Sequence, residues 1–590
     1  MSFQFCCKFV ILIQRPSGGQ MDRRSFMKTV GTASAAAAVL SSESIACTAS
    51  SSEAVPLQNA ITTPSPNPLR AAITSTAGKW APNPGDWNTT TINHLYRRAG
   101  FGATQLEVAT AKTKTFDTVI DELMDDALLS GANLPDLPYH SEDWYQQTPY
   151  LGTDYNKLVD QQQKYYTHNM EIRRDWGVQM MKPKTMLREK MTLFWMNHFV
   201  VESLKVYYPQ SMYSYLDYFR RNAWGNFKQM VKDVTTHPAM LIYLDGILNQ
   251  GLSPNENYAR ELQELFTMGV QDKNGNPNYT QDDVEAIAHS LTGWTIDRTA
   301  AGPNVLPAKY MTAQHDSRFQ KIYDGVKRQY NLEASGAAMD KDLIEHIFEQ
   351  RGEQIAWFMC SKLYQYFIYH EITTDAEKAV VQDLADTFKA TWNVKQVLDK
   401  LFKSEHFFDS ANIGAGIKSP YEHLLGMVRH FDLPLDRLQS GTVYYYTAAQ
   451  SQILLDPPNV KGWPGHHAWI STTNLPARNF MATLLTIGTA LPAIGADGYG
   501  TSHTPIALSY DQLFSWAKQF PSFNTGFDEI LAEMAAFLCA QPPGPVALAY
   551  IKSQLPENTY EWGTLGDIGR KSALVQMVKN IMSLAEYQLA

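Results

Sequence analysis

From Thr90 onward this chain repeats one pattern: apolar residues three and four apart, in segment after segment, with short polar breaks between. That spacing gathers apolar side chains on one face of an α-helix, whereas strands alternate apolar and polar residues. The pattern predicts helices over 90–99, 116–129, 155–181, 183–199, 212–233, 257–268, 281–291, 340–369, 374–392 and 394–402. It predicts further helices over 421–430, 447–452, 475–491, 510–518, 527–539 and 565–583. Asn88 or Thr89 can cap the first helix, and Thr104 with Glu107 makes a capping box after Gly102. Where Gly, Pro and alternating residues gather the helical period stops. There 295–330 predicts a small hairpin or ordered loop, 439–446 a short strand, 456–473 a Pro/Gly/Trp-rich loop and 495–509 a surface loop. No repeat of fixed period is present. The expected fold is mainly α, one large multi-helical, bundle-like domain over 87–590 with irregular loops and a small β-hairpin. A division into two lobes would fall near 295–340.

The composition supports a sizeable core: 44% of the 590 residues are hydrophobic and 12% aromatic. Fifty basic residues stand against 59 acidic ones, a net charge of −9, with no basic block. Nucleic acid is therefore not an expected partner. No nucleophile elbow, P-loop, dinucleotide fingerprint, H-E-x-x-H or Ser-x-x-Lys occurs in a fitting context, which takes weight from the common hydrolase and nucleotide classes.

The N-terminus predicts export. Residues 22–28, D-R-R-S-F-M-K, precede a mildly apolar, Ala-rich run over 30–40. Arg23-Arg24 in that setting reads as a twin-arginine signal with Met21 as the true start, and the run is too short to span a membrane. Residues 1–47 are thus read as an export signal. The export machinery is its partner, and the periplasm or cell envelope its destination. Cys47 follows Ser44-Ile45-Ala46, like a lipoprotein cleavage box with Ser where Leu is preferred. Simple cleavage near Ala46 is the plainer reading, and a membrane enters only if Cys47 is lipidated. The twin-arginine route carries folded proteins, which suits a bound cofactor without requiring one. Residues 48–86, rich in Ser, Thr, Pro and Ala, read as a flexible linker. Cys360 and Cys539 lie in apolar helical segments and read as two buried thiols rather than a bridge.

The segment 255–270, N-E-N-Y-A-R-E-L-Q-E-L-F-T-M-G-V, carries the densest polar chemistry. At about 100° per residue a regular helix would align Asn257, Glu261 and Glu264 in one stripe, with Leu262, Leu265 and Phe266 facing a core. Glu261 and Glu264 could hold a divalent cation or serve as acid and base. Alternatively, Arg260, Glu261 and Glu264 make ion pairs with another helix. His198, in W-M-N-H-F, is either a ligand or general base, or a core histidine donating to a carbonyl. His237 before Pro238 marks a break ahead of a helix, and Asp245 a cap or turn; both remain binding candidates. Asp272, Asn274, Asn276 and Asp283 match calcium-loop positions, but Pro stands where the turn needs Gly; a polar turn before a Thr280 cap is preferred. In P-P-N-V-K-G-W-P-G-H-H-A-W-I, over 457–470, Lys461, Trp463 and Trp469 either line a sugar-binding pocket or, through Trp463, plug the core.

Five stretches together resemble the bacterial family of domain of unknown function 1800. They are 94–104 (H-L-Y-R-R-A-G-F-G-A-T), 187–200 (L-R-E-K-M-T-L-F-W-M-N-H-F-V), 255–270, 279–295 (Y-T-Q-D-D-V-E-A-I-A-H-S-L-T-G-W-T) and 457–470, in the family's order. The resemblance runs from about residue 93 to the C-terminus and brings no established activity. Family members usually carry Arg where His289 stands, which implies a partner for an acidic group there. His315 and Asp316, with Lys321, resemble the family's H-D-x-G-x-K segment, with Arg318 in place of Gly. The resemblance also implies, as a neighbour, an exported protein of domain of unknown function 1501. Two functions follow as expectations. One is an envelope enzyme or cofactor-bearing subunit, a divalent metal being one option. Its pocket would gather Glu261, Glu264, His198, Arg260 and Lys461, and its substrate would be a polymer or glycan. The other is a non-catalytic helical scaffold or chaperone for another exported protein.

Overall fold

Side chains that answer their own backbone start the helices. Asn88 accepts from the N–H groups of Thr90 and Thr91, Thr91 answers Asn88 N–H, and the helix Thr89–Arg98 follows. Thr104 with Glu107, Thr280 with Asp283, Thr374 with Glu377, and Ser419 with Glu422 repeat the reciprocal device. Each satisfies two amide groups that the first helical turn leaves open. The computed structural model describes residues 73–124, 149–251, 253–300, 306–332, 341–433, 443, 446–487 and 508–590. These all fall within one compact unit. The export signal, Cys47, most of the linker, and nearly all of 439–446 and 495–509 lie outside the described residues; within 439–446, Val443 and Tyr446 are helical.

The chain is mainly α-helical, as its periodicity predicts. Helix Met186–His198 is buried nearly all round and packs on Tyr155–Met180 and Pro209–Arg221. Such a helix must pair every polar side chain it carries. Arg188 donates to the Arg220 carbonyl at 2.7 Å, Thr192 to that of Arg188 at 2.9 Å, Glu189 meets Arg220 and Lys190 meets Glu422. Phe199 and Phe219 stack at 5.7 Å beside Phe227, all three fully buried. Burying a ring of that size contributes about 1.5–3 kcal/mol. Leu343–Phe367 packs along Asp375–Thr391, and Asn474–Ile487 and Tyr510–Ala517 lie against Asp567–Met582. Cys360 and Cys539 are buried free thiols. Among the described residues no helix is long and apolar enough to cross a membrane.

Four segments depart from the expected helices; the run 447–452 is helical only through Ala448 and turns from Ala449 onward. The run 212–233 is two helices, Pro209–Arg221 and Phe227–Thr236, because Asn226 turns its side chain onto Gln229 N–H and starts afresh. The run 340–369 begins after Asp342 and leaves helical angles at Arg351, next to Gly352. The run 257–268 is α-helical only over Asn257–Glu261; Leu262–Thr267 is a π-helix, and Thr267 Oγ1 donates to the Leu262 carbonyl five residues back at 2.5 Å. Wider turns of this kind advance less per residue, so the regular stripe of Asn257, Glu261 and Glu264 does not continue through it. The hairpin expected in 295–330 is present as Trp294–Ile296 paired antiparallel with Ala308–Tyr310. A second antiparallel pair joins Gln320–Lys321 to Lys327–Arg328, and a parallel pair joins Tyr330–Asn331 to Lys341–Asp342.

Candidate functional site

A cavity of about 410 Å³ opens where the end of Met186–His198, the last turns of Leu343–Phe367, the start of Pro420–His430 and the loop around Trp463 meet. His198 closes its inner wall. Its Nε2 lies 3.0 Å from the Phe266 carbonyl and its Nδ1 3.0 Å from Lys362 Nζ, which also donates to the Leu265 carbonyl at 3.3 Å. The partners assign the tautomer: Nε2–H donates to Phe266, and Nδ1 accepts from Lys362. Both carbonyls belong to the π-helix, so the irregular turn supplies the acceptors that hold this pair. Burial first, then the Lys362 charge, holds His198 well below the usual imidazole range. Burial pushes the Lys362 ammonium down to about 8. A lysine so placed exchanges a proton near neutral pH, which an ordinary one does not.

The outer wall is the loop expected over 456–473. Asn197 Oδ1 accepts Trp463 N–H at 2.7 Å, and Asn197 Nδ2 donates back to the Trp463 carbonyl at 3.3 Å. Gly462 passes Asn197 at φ +78°; a Cβ there would collide with Asn197 Oδ1, so only glycine fits. Trp463 and Trp469 are buried and also line the cavity, so the plug and the pocket wall are the same residues. Across the cavity Arg98 donates to the carbonyls of Tyr366 and Phe367 at 2.7 and 2.8 Å. Burial works to raise the Glu422 carboxyl, but Lys190 and Arg98 beside it prevail and hold it below the usual carboxylate range. Among the charged groups lining the cavity are Arg98, Lys362 and Lys461, against the Glu422 carboxylate, which Lys190 already meets.

The residues singled out by sequence divide. His198, Lys461, Trp463 and Trp469 line the cavity. Glu264 stands behind it, 3.5 Å from Lys461 Nζ and 3.4 Å from the Tyr279 hydroxyl. Burial, then Glu264, pushes the neighbouring Glu261 carboxyl up. Arg260 turns away to Glu256 and Gln281, each at 2.9 Å. Asn257 donates to Asp245 at 3.1 Å, and Asp245 also faces Lys205 at 3.2 Å. Asp245 takes a left-handed conformation at φ 58° before a single turn, Gly246–Leu248. His237 caps Pro238–Tyr243, and burial drives its imidazole down to about 3. His315 Nδ1 lies 3.0 Å from the Thr292 carbonyl. His289 Nδ1 meets Asp316 at 2.5 Å, the acidic partner expected, and Arg318 clasps the same carboxylate at 2.6–2.9 Å. Those bonds, Arg318's first, hold Asp316 down at about 2. Asp272 spends its oxygens on Asn274 and Asn276 in its own turn, ahead of the Thr280 cap.

The sequence model of a family described as "Protein of unknown function (DUF1800)" matches residues 94–589. The chain belongs to the DUF1800 family. No curated protein and no solved structure matches it. The DUF1800 match spans every residue that lines the cavity, from Arg98 to Trp469. Sequence reasoning passed over Lys362, although a signal was present: a lone lysine in the apolar helical run A-W-F-M-C-S-K-L-Y-Q-Y-F. It also passed over Arg98 and His370, whose neighbours in the DUF1800 fold are far away in sequence.

Proposed function

We propose that this chain is an exported enzyme of the cell envelope that acts at the cavity on an acidic glycan. Lys362 is the group that moves the proton. The reading is carried by that lysine, with an ammonium at about 8 on the wall of a cavity. A general acid–base is most effective when its pKa lies near the working pH, and a strongly shifted titratable group in a cleft is a functional candidate on physical grounds. His198 is a positioning residue, since its Nδ1 holds the Lys362 amine at 3.0 Å. The lining charges favour an anion, and the Trp463 and Trp469 rings beside Lys461 suit a sugar face. Export rests on the Arg23-Arg24 segment alone.

The test is calorimetry on the full chain with oligogalacturonate and its uncharged methyl ester, followed by assay of chain cleavage. The acidic oligomer is expected to bind, more weakly as salt rises, and about tenfold more weakly to Lys461→Ala, a loss of about 1.4 kcal/mol. Lys362→Met should keep that binding and lose cleavage. Equal binding of the ester, or cleavage by Lys362→Met at the normal rate, would overturn the reading.

A further inference from the structure

We propose that His370, His466 and His467 form a three-histidine centre for a divalent transition-metal ion of the zinc type at the rim of the same cavity. One ring nitrogen from each lies within 4.8 Å of the other two. The rings crowd together: His370 stacks on His466 with centroids 3.5 Å apart and planes 9° apart, and His467 stands edge-on to both at 4.9 and 4.3 Å. Three ligands at about 2.0–2.1 Å from a tetrahedral ion sit about 3.3 Å apart. The cluster therefore closes by at most about 1.5 Å on binding, and a shared ion requires His370 and His466 to turn out of their parallel stack while His467, exposed at the surface, swings in.

Two features go beyond the closeness of three imidazoles. His466 Nε2 lies 3.3 Å from the Ala415 carbonyl; donation there leaves Nδ1 as the lone-pair atom, buried and without a hydrogen-bond partner. A histidine that donates one nitrogen to a carbonyl and offers the other is the usual arrangement of a metal ligand. The backbone is bent to present the pair, with Gly465 at φ 75° and His466, a non-glycine residue, at φ 43°. The charges nearby are mixed. Arg98 opposes a cation, and the Glu371 carboxylate, 3.4 Å from His370 Nε2, favours one. Three imidazole ligands with a position left open suit zinc, with copper and nickel as competitors. His370 and His466 line the cavity, so an ion held by them would sit at its wall.

The full chain, stripped of metal with a chelator, is titrated with Zn2+ by calorimetry and with Co2+ by visible absorption. One ion per chain and a Co2+ spectrum of tetrahedral intensity are expected. His370→Ala and His467→Ala should each weaken Zn2+ at least about tenfold. His467 is exposed, so its replacement leaves folding intact, which far-ultraviolet circular dichroism checks. Lys362→Met should bind Zn2+ normally, which separates this centre from the proton-transfer role of that lysine. Absence of stoichiometric Zn2+, or unchanged affinity in His467→Ala and His370→Ala, would overturn the proposal.

Discussion

Lowering the pH from 7 towards 5 is expected to unfold this chain. His94, His198, His237, His346, His423, His430 and His466 all have imidazoles that folding pushes below the ordinary 6.5, burial being the first cause for each. The sign follows from proton counts. Below 6.5 the unfolded chain takes up protons that the folded one refuses, so stability is complete above that value and falls as pH drops below it. One pH unit below, each fully depressed histidine contributes about 1.4 kcal/mol. His94, His198, His423 and His430 are each at most 3% exposed. Those four alone account for roughly 6 kcal/mol, against a whole-domain stability of about 5–15 kcal/mol. Charging His423 or His430 is especially unfavourable, since Arg97, Lys418, Arg429 and Arg478 supply like charge around them. Urea unfolding followed by circular dichroism at a series of pH values checks this. The denaturation midpoint should fall from pH 6.5 downward, and a flat midpoint between pH 7 and 5 would contradict it.

Glu189→Gln is the substitution expected to hurt stability most. Glu189 and Arg220 are both fully buried, and the guanidinium donates to the carboxylate through Nε and Nη2 at 2.8–3.1 Å. Trp176 Nε1 donates to the same carboxylate at 3.0 Å. Three helices, Tyr155–Met180, Met186–His198 and Pro209–Arg221, are thereby held on one anion. Removing that charge leaves Arg220 buried, with an Asp217 carboxylate oxygen 3.7 Å from its Nη1. Breaking a buried pair from one side costs about 3–5 kcal/mol, because the desolvated partner remains. Replacing both residues by Met should recover much of that loss, since the penalty lies in the stranded charge. Equilibrium urea unfolding measures both effects. A loss under about 1 kcal/mol for Glu189→Gln would show that Arg220 finds compensation elsewhere.

What the sequence makes legible is chemistry within a few residues. Asn88, Thr104 and Thr280 cap helices through bonds that span two or three positions, and those are read correctly from the residue types alone. The need of His289 for an acidic partner comes from the family resemblance and not from the residues around it; Asp316 lies 27 residues on. The π-helix at Leu262–Thr267 is not, because its open carbonyls are answered from elsewhere: Lys362 lies 97 residues from Leu265, and His198 lies 68 from Phe266. The expected stripe of Asn257, Glu261 and Glu264 assumed a regular helix, and the wider turn divides it. For the same reason the cavity was only half visible. Its Lys461, Trp463 and Trp469 sit in one conspicuous loop, whereas Arg98, Lys362, His370 and Glu422 come from three other places in the chain. Helical period says which face is buried, and nothing about which distant face it meets.

The most direct test of the cavity as a site of chemistry is the titration of Lys362 itself. Lysines of the full chain are reductively methylated with ¹³C-formaldehyde, the Lys362 resonance is assigned by its absence in Lys362→Met, and its chemical shift is followed against pH. The account predicts a midpoint near 8, set by burial beside His198. A midpoint at the ordinary 10.5 would contradict it.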